Sequence, residues 1–133
     1  MRAYLSHSIR GKKGQDATDE DMMKNNRKAI EFAENIRSLF PCLDLYVPAE
    51  HDEFVLNAYR RGYLGEPEIL DVDCMIVQTC NFLIALAPEG YISRGMQVEI
   101  DYANTHGIPV VVVDGYTGTA ADVITAKLHD MMR

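Results

Sequence analysis

The residues Phe82 to Ala87 form an unbroken apolar run, too short for a buried helix and the right length for a strand covered on both faces. Pro88-Glu89-Gly90 interrupts it, and from about Gly95 to His106 apolar side chains return at helical spacing. The stretch Asn81 to Ala103 therefore reads strand, Pro/Gly loop, helix, with Glu99 in the first turns of that helix. A strand buried on both faces needs parallel neighbours beside it and helices above and below. In such a protein, ligands meet the chain at the carboxyl ends of the strands, where this loop lies.

The rest of the chain fits that frame. Arg2 to Ser6 is a short first strand running into SHSIRGKKG, a segment of hydroxyls, glycines and basic side chains. Thr18 followed by Asp19, Glu20 and Asp21 is a helix cap with an acidic first turn. Met22, Ala29, Ile30, Ala33, Ile36 and Phe40 then recur at helical spacing until Pro41. Leu43 to Val47 reads as a second strand, followed by Pro48 and the polar patch Ala49-Glu50-His51-Asp52. Phe54 to Tyr59 reads as a short helix broken up by Gly62, Gly65 and Pro67, and residues 52–67 are expected to form a loop over a pocket. Glu68 to Thr79 is amphipathic, with Ile69, Val72, Ile76 and Thr79 expected inward and Asp71 and Asp73 near its start. Gly107-Ile108-Pro109 precedes a strand at Val110 to Val113, and a Gly/Thr loop leads to a last helix, Ala120 to Met131. Strands alternate with helices without a linker or repeat, which predicts one α/β domain over 1–133 with a mostly parallel sheet and helices on both faces.

Composition narrows the chemistry. The net charge of −7 disfavours nucleic acid or an anionic membrane surface as the main partner, while a small anion held in a local pocket stays open. No apolar run approaches the ~20 residues of a membrane span. The N-terminal MRAYLSHSIRG has no signal-peptide pattern, which predicts a cytoplasmic protein. Cys42, Cys74 and Cys80 form no CxxC pair, and His7, His51, His106 and His129 form no paired ligand motif, so no metal or other cofactor is expected. Gly11-Lys12-Lys13-Gly14 lacks the GxxxxGK[ST] pattern of a Walker loop.

Cleaving an N-glycosidic bond needs a carboxylate at the anomeric carbon and a proton donor near the leaving base. Glu99 suits the first role, because the helix start favours its ionised form and Val98, Ile100 and Ala103 make its wall partly dry. Asp73 is the candidate second carboxylate. Ser6, Ser8, Arg10 and Gly11 after the first strand, and Ser93 before a helix, are placed to bind a phosphate. His51, between two acidic residues, is the histidine placed to line a pocket. Taken singly, each of these residues is also ordinary: acidic groups near a helix start and hydroxyls in loops are commonplace. Tyr4, Tyr91 and Tyr102 read as core or rim.

Together they form a pattern. Asp73 in a helix, the strand Phe82 to Leu86, and Gly95-Met96-Gln97-Val98-Glu99-Ile100-Asp101-Tyr102-Ala103 as G-x-x-x-E-x-x-x-A resemble the nucleoside 2-deoxyribosyltransferase-like superfamily. Tyr46-Val47-Pro48 is similar to that family's exit from the second strand. Ser8-Ile9-Arg10-Gly11, the Glu50-His51 pair, and Ser93 six residues before Glu99 resemble its deoxynucleoside 5′-monophosphate N-glycosidase branch. His7 stands where that branch usually has glycine, and Asn81 where an aspartate is often found.

The resemblance implies a three-layer Rossmann-like (flavodoxin-like) fold with about five strands. It implies that Glu99 attacks C1′ of the sugar, that Asp73 assists, and that Ser8, Arg10, Gly11 and Ser93 hold the 5′-phosphate, with lesser contacts from Ser6, Ile9, His51 and Gly95. The implied reaction is hydrolysis of a (2′-deoxy)nucleoside 5′-monophosphate to free base and sugar phosphate. Base exchange on free nucleosides is the alternative reaction, and a non-catalytic nucleotide sensor on the same scaffold is an alternative of a different class. A homodimer or larger homo-oligomer is implied as well. Base identity, ribose against deoxyribose, and the part played by residues 52–67 stay open.

Overall fold

The computed structural model describes all of residues 1–133. The strands are β1 (Arg2–His7), β2 (Asp44–Tyr46), β3 (Phe82–Leu86) and β4 (Val110–Val113). The helices are α1 (Asp19–Leu39), α2 (Asp52–Arg60), α3 (Glu66–Gln78), α4 (Arg94–Thr105) and α5 (Thr117–Met131). All strands are parallel, in the order β2-β1-β3-β4, with Tyr4 opposite both Tyr46 and Leu83, and His7 opposite Leu86. Tight 3-10 turns at Gly11–Asp16, Pro48–His51 and Pro88–Gly90 follow the carboxyl ends of β1, β2 and β3.

The sheet has four strands, not the expected five or so. Only four stretches carry strand-length apolar patterning, and after β4 the chain turns at Gly115 (φ +99) directly into α5. Side chains of a strand alternate between faces, and β1 shows the consequence. Ala3 and Leu5 join Ile84 and Val111 against Phe32, Ala33 and Ile36 of α1 and Ile124 of α5. Tyr4 joins Leu83 and Ala85 on the other face, against Val77 of α3 and Met96 and Ala103 of α4. The result is three layers, helix on sheet on helix.

Local chemistry fixes the helices. Thr18 caps α1 by accepting the Asp21 N–H at 3.1 Å, while the Asp21 carboxylate accepts the Thr18 N–H at 3.0 Å, a reciprocal capping box. The inward face of α3 matches the expected Ile69, Val72, Ile76 and Thr79 only in part: Ile76 packs against the core, while Thr79 is exposed at the helix end. Cys74 and Val77 are its buried residues, and Val72 is 47% exposed. The helix begins earlier, at Glu66, and packs against α4 as well as the sheet, so its buried stripe passes through Cys74 and Val77 with Asp73 at its edge. The short helix read at Phe54 to Tyr59 is present as the longer α2, Asp52–Arg60, so residues 52–67 are mostly helical rather than a loop; α2 buries none of its residues and rests on the Pro48–His51 turn.

Ile84 lies fully buried at the centre of the sheet. Cutting it to alanine removes packed atoms from both layers' junction, and denaturant unfolding should show a loss of about 2–5 kcal/mol. A loss well under that range would contradict the central position assigned to β3.

Candidate functional site

The direction of strand addition reverses at β1: β2 lies on one side of it, β3 and β4 on the other. Such a reversal marks the carboxyl ends of β1 and β3 as the place where open α/β sheets receive ligands, in a crevice between the two departing segments. The chain leaves β1 there through Ser8 and the Gly11–Asp16 turn, and leaves β3 through Ala87, the Pro88–Gly90 turn and Ser93.

Glu99 points from α4 onto β1. It is 5% exposed, and both its oxygens are held by hydroxyls of one strand: Ser6 Oγ donates to Oε1 at 2.6 Å and Tyr4 Oη donates to Oε2. Tyr4 and Ser6 stand two residues apart on β1, so both project onto the face that α4 covers. Ser93 caps α4 by accepting the Met96 N–H at 3.2 Å, which puts Glu99 in the second turn. The helix dipole weakens beyond the first turn, so the two hydroxyls, rather than the dipole, orient this carboxylate.

Burial pushes the Glu99 carboxyl up to about 7; the Ser6 and Tyr4 hydrogen bonds pull against that rise, and the nearby Asp73 adds to it. Burial likewise lifts Asp73 to about 6, opposed by Tyr4. The phenol thus acts on both carboxyls, although only its bond to Glu99 has full hydrogen-bond geometry. Burial and the two neighbouring carboxyls raise Tyr4 well above its usual value, so it stays a proton donor. Cys74, next to Asp73, is pushed up to about 11 by burial and by the charges of Glu99 and Asp73, and is a protonated thiol at neutral pH. Two carboxyls that titrate near neutrality, coupled through one phenol, are suited to hold a single proton between them and to exchange roles as acid and base.

A carboxyl whose value is raised by folding binds its proton more tightly in the folded state. Its ionisation therefore costs stability as pH climbs through about 7, and that cost is absent well below its ordinary value of 4.5. Glu99→Gln should gain stability over the wild type at pH 8 and lose most of that advantage at pH 5. Denaturant midpoints at the two pH values measure this; an equal difference at both would contradict the buried titration.

The segment after β1 is self-capped. Ser8 Oγ accepts the Gly11 N–H at 2.8 Å, and Asn25 Nδ2 of α1 donates to the Ile9 carbonyl at 2.9 Å. Gly11 sits at φ +65, and a Cβ there would come within 3.1 Å of Asn25 Nδ2, so both backbone and space call for glycine. The hydroxyl hydrogens of Ser8 and Ser93 remain free to be donated, since both oxygens act as acceptors in these caps. Arg10 is exposed and takes part in none of the ion pairs.

The residues singled out in the sequence thus fall into groups. Tyr4 and Ser6 converge on Glu99, with Asp73 close to Tyr4; Ser6, expected among the phosphate contacts, is fully buried and gives its hydroxyl to Glu99 instead. Ser8, Ile9, Arg10 and Gly11 lie on the β1 side of the crevice and Ser93 on the β3 side, without direct contact between the two sides through these residues. Gly95 sits in the first turn of α4 with Leu70 at ordinary contact distance, so its lack of a side chain is not demanded by space. His51 stacks on Tyr46, ring centroids 4.9 Å apart, and Tyr46 stacks on Tyr4 at 5.7 Å. Its neighbour Glu50 is taken up in a bidentate pair with Arg37, both bonds 2.6 Å, that ties α1 to the turn after β2.

Tyr4 is the residue that sequence reasoning passed over, reading it as core or rim. It is fully buried core, yet its hydroxyl holds the central carboxylate. The available signal was the alternation of β1, where Tyr4 and Ser6 place two hydroxyls on one face of an otherwise apolar strand. His7 points to the opposite face, neutral because burial lowers it to about 4, with neither ring nitrogen hydrogen-bonded. A surface cavity of about 450 Å³ lies elsewhere, between the C-terminal ends of α1 and α5 around Phe40, Leu128 and Met132, and contains none of these residues. No helix is long and apolar enough to cross a membrane.

The chain matches no family model, no curated protein and no solved structure.

Proposed function

We propose that the chain hydrolyses the N-glycosidic bond of a (2′-deoxy)nucleoside 5′-monophosphate, as a protein of the nucleoside 2-deoxyribosyltransferase-like type. One observation carries the reading: a buried carboxylate, Glu99, aimed by the Tyr4 and Ser6 hydroxyls beside a second raised carboxyl, Asp73. That arrangement suits a reaction whose transition state gains positive charge on a sugar ring and whose leaving group needs a proton.

In the proposed sequence Glu99 attacks C1′ as the bond from C1′ to the base nitrogen breaks, and Asp73 gives its proton to the departing base. The product of this step is a glycosyl ester on Glu99. Asp73, now ionised, takes a proton from water, the water oxygen bonds to C1′, and the ester bond breaks to restore Glu99. Tyr4 and Ser6 keep the carboxylate in place through both steps. Ser8, Arg10, Gly11 and Ser93 surround the 5′-phosphate on the two sides of the crevice. Exposed apolar side chains on and after α2, including Phe54, Tyr59 and Tyr63, give this reading a surface for assembly of further copies.

The test is a panel of 2′-deoxynucleoside and ribonucleoside 5′-monophosphates and their parent nucleosides, scored for released base. Release from a monophosphate, with little from its nucleoside, is the expected result. New nucleoside formed only when a second base is added would replace hydrolysis with base exchange. Tight binding without release from any member would replace catalysis with sensing.

A further inference from the structure

Two short turns face each other across the crevice. Lys12 lies in the turn after β1 and Glu89 in the turn after β3, and their side chains form an ion pair. Since β1 and β3 are adjacent, with His7 opposite Leu86, this pair joins the two segments that leave the sheet at its switch point. It is the one side-chain link between the segment holding Ser8, Arg10 and Gly11 and the segment leading to Ser93.

The backbone presents both partners. Lys12 follows Gly11, whose positive φ and N–H bond to Ser8 Oγ fix the start of the turn. Glu89 is the only non-glycine residue with positive φ, at +54, a conformation that costs an ordinary residue free energy. The remaining cations of the segment are disposed differently: Lys13 is held by Asp21 at 3.2 Å on the α1 side, while Arg10 has no carboxylate partner. Lys12 is therefore the cation of this segment that reaches across to the β3 side, and Glu89 is what occupies it. Both side chains are largely exposed, 57% and 77%, so the bond between them is weak and easily exchanged. A phosphate carrying nearly two negative charges is a stronger partner for an ammonium than one solvated carboxylate.

We propose that the Lys12–Glu89 pair is a strap across the crevice, which a sugar 5-phosphate opens by taking the lysine from the glutamate. Lys12 is then a phosphate-binding residue and Glu89 its built-in competitor. The strap selects phosphorylated over neutral ligands, because a ligand without a phosphate has nothing to exchange for the lysine. This inference rests on the reading that the crevice receives a 5′-phosphate.

The test uses 2-deoxyribose 5-phosphate, with 2-deoxyribose as the neutral control, because both lack the unidentified base. Dissociation constants are measured by calorimetry for the wild type, Glu89→Gln, Lys12→Met and the double variant. Glu89→Gln should bind the phosphate about two- to fivefold tighter and Lys12→Met about two- to fivefold weaker, the range of an exposed ion pair. The double variant should bind as weakly as Lys12→Met, since no lysine remains to release. Both differences should fade as salt is raised.

A double variant that keeps the gain of Glu89→Gln would reduce Glu89 to a general charge effect and overturn the strap. Unchanged affinity in either single variant would also overturn it. Wild-type protein that binds the phosphate no better than deoxyribose would instead remove the underlying phosphate reading. Strong phosphate binding that is indifferent to Lys12 and Glu89 would leave that reading standing and remove the strap alone.

Discussion

Glu99→Gln should abolish base release, lowering kcat by roughly three to five orders of magnitude, or about 4–7 kcal/mol of transition-state stabilisation. The amide keeps the size of the carboxylate and can still engage the Ser6 and Tyr4 hydroxyls, so the fold has no reason to fail. What disappears is the negative charge and the lone pair that, in the proposed reaction, forms the ester to C1′. Because burial makes the ionised carboxylate costly, the inactive variant should also be the more stable one above neutral pH. Loss of activity together with gained stability separates a chemical role from a merely structural one. Retained turnover in this variant would remove Glu99 from the reaction.

Tyr4→Phe is the second large effect. Removing a hydrogen bond to a charged group costs about 1.5–3 kcal/mol, which predicts a roughly ten- to hundredfold fall in kcat. The pH profile should report the cause. With Asp73 near 6 and Glu99 near 7, the protein holds one proton between the two carboxyls chiefly within that interval, so activity should follow a bell with limbs near those values. Burial raises both carboxyls, and in the proposed reaction positive charge developing on the sugar favours the ionised Glu99 with the proton on Asp73. The phenol lowers both carboxyls, and its removal should move both limbs to higher pH while the maximum falls. A Tyr4→Phe profile that keeps its limbs and only loses height would contradict the assigned coupling.

The strands were readable because their signal is local. Phe82 to Leu86 and Val110 to Val113 are apolar runs of strand length and appear at those residues. Thr18 with its acidic first turn located the start of α1, since capping uses only a few neighbouring residues. The inward face of α3 was readable only at Ile76; Cys74 and Val77 were missed because a contact with α4 decides the rotation and periodicity alone does not record that partner. The fifth strand was carried by resemblance, and the chain after Gly115 forms α5 instead. At the site, Glu99 and Asp73 were singled out by the resemblance, since position alone left each ordinary, and Ser6 was named for a phosphate rather than for the Glu99 carboxylate it holds. Tyr4 was missed because a buried tyrosine in a strand is ordinary core by pattern, and only a partner on α4, far away in sequence, gives its hydroxyl a task. The macrodipole argument for Glu99 failed for a related reason: Ser93 sets the helix start, which leaves the carboxylate a turn too far in.

The central claim is that Glu99 itself bonds to the sugar. The most direct measurement is peptide mass analysis after quenching a reaction with a 2′-deoxy-2′-fluoronucleoside 5′-monophosphate, whose electron-withdrawing substituent slows loss of the glycosyl ester. The predicted result is one sugar phosphate attached to Glu99, absent from Glu99→Gln. An adduct on another residue, or base release by Glu99→Gln at the wild-type rate, would contradict it.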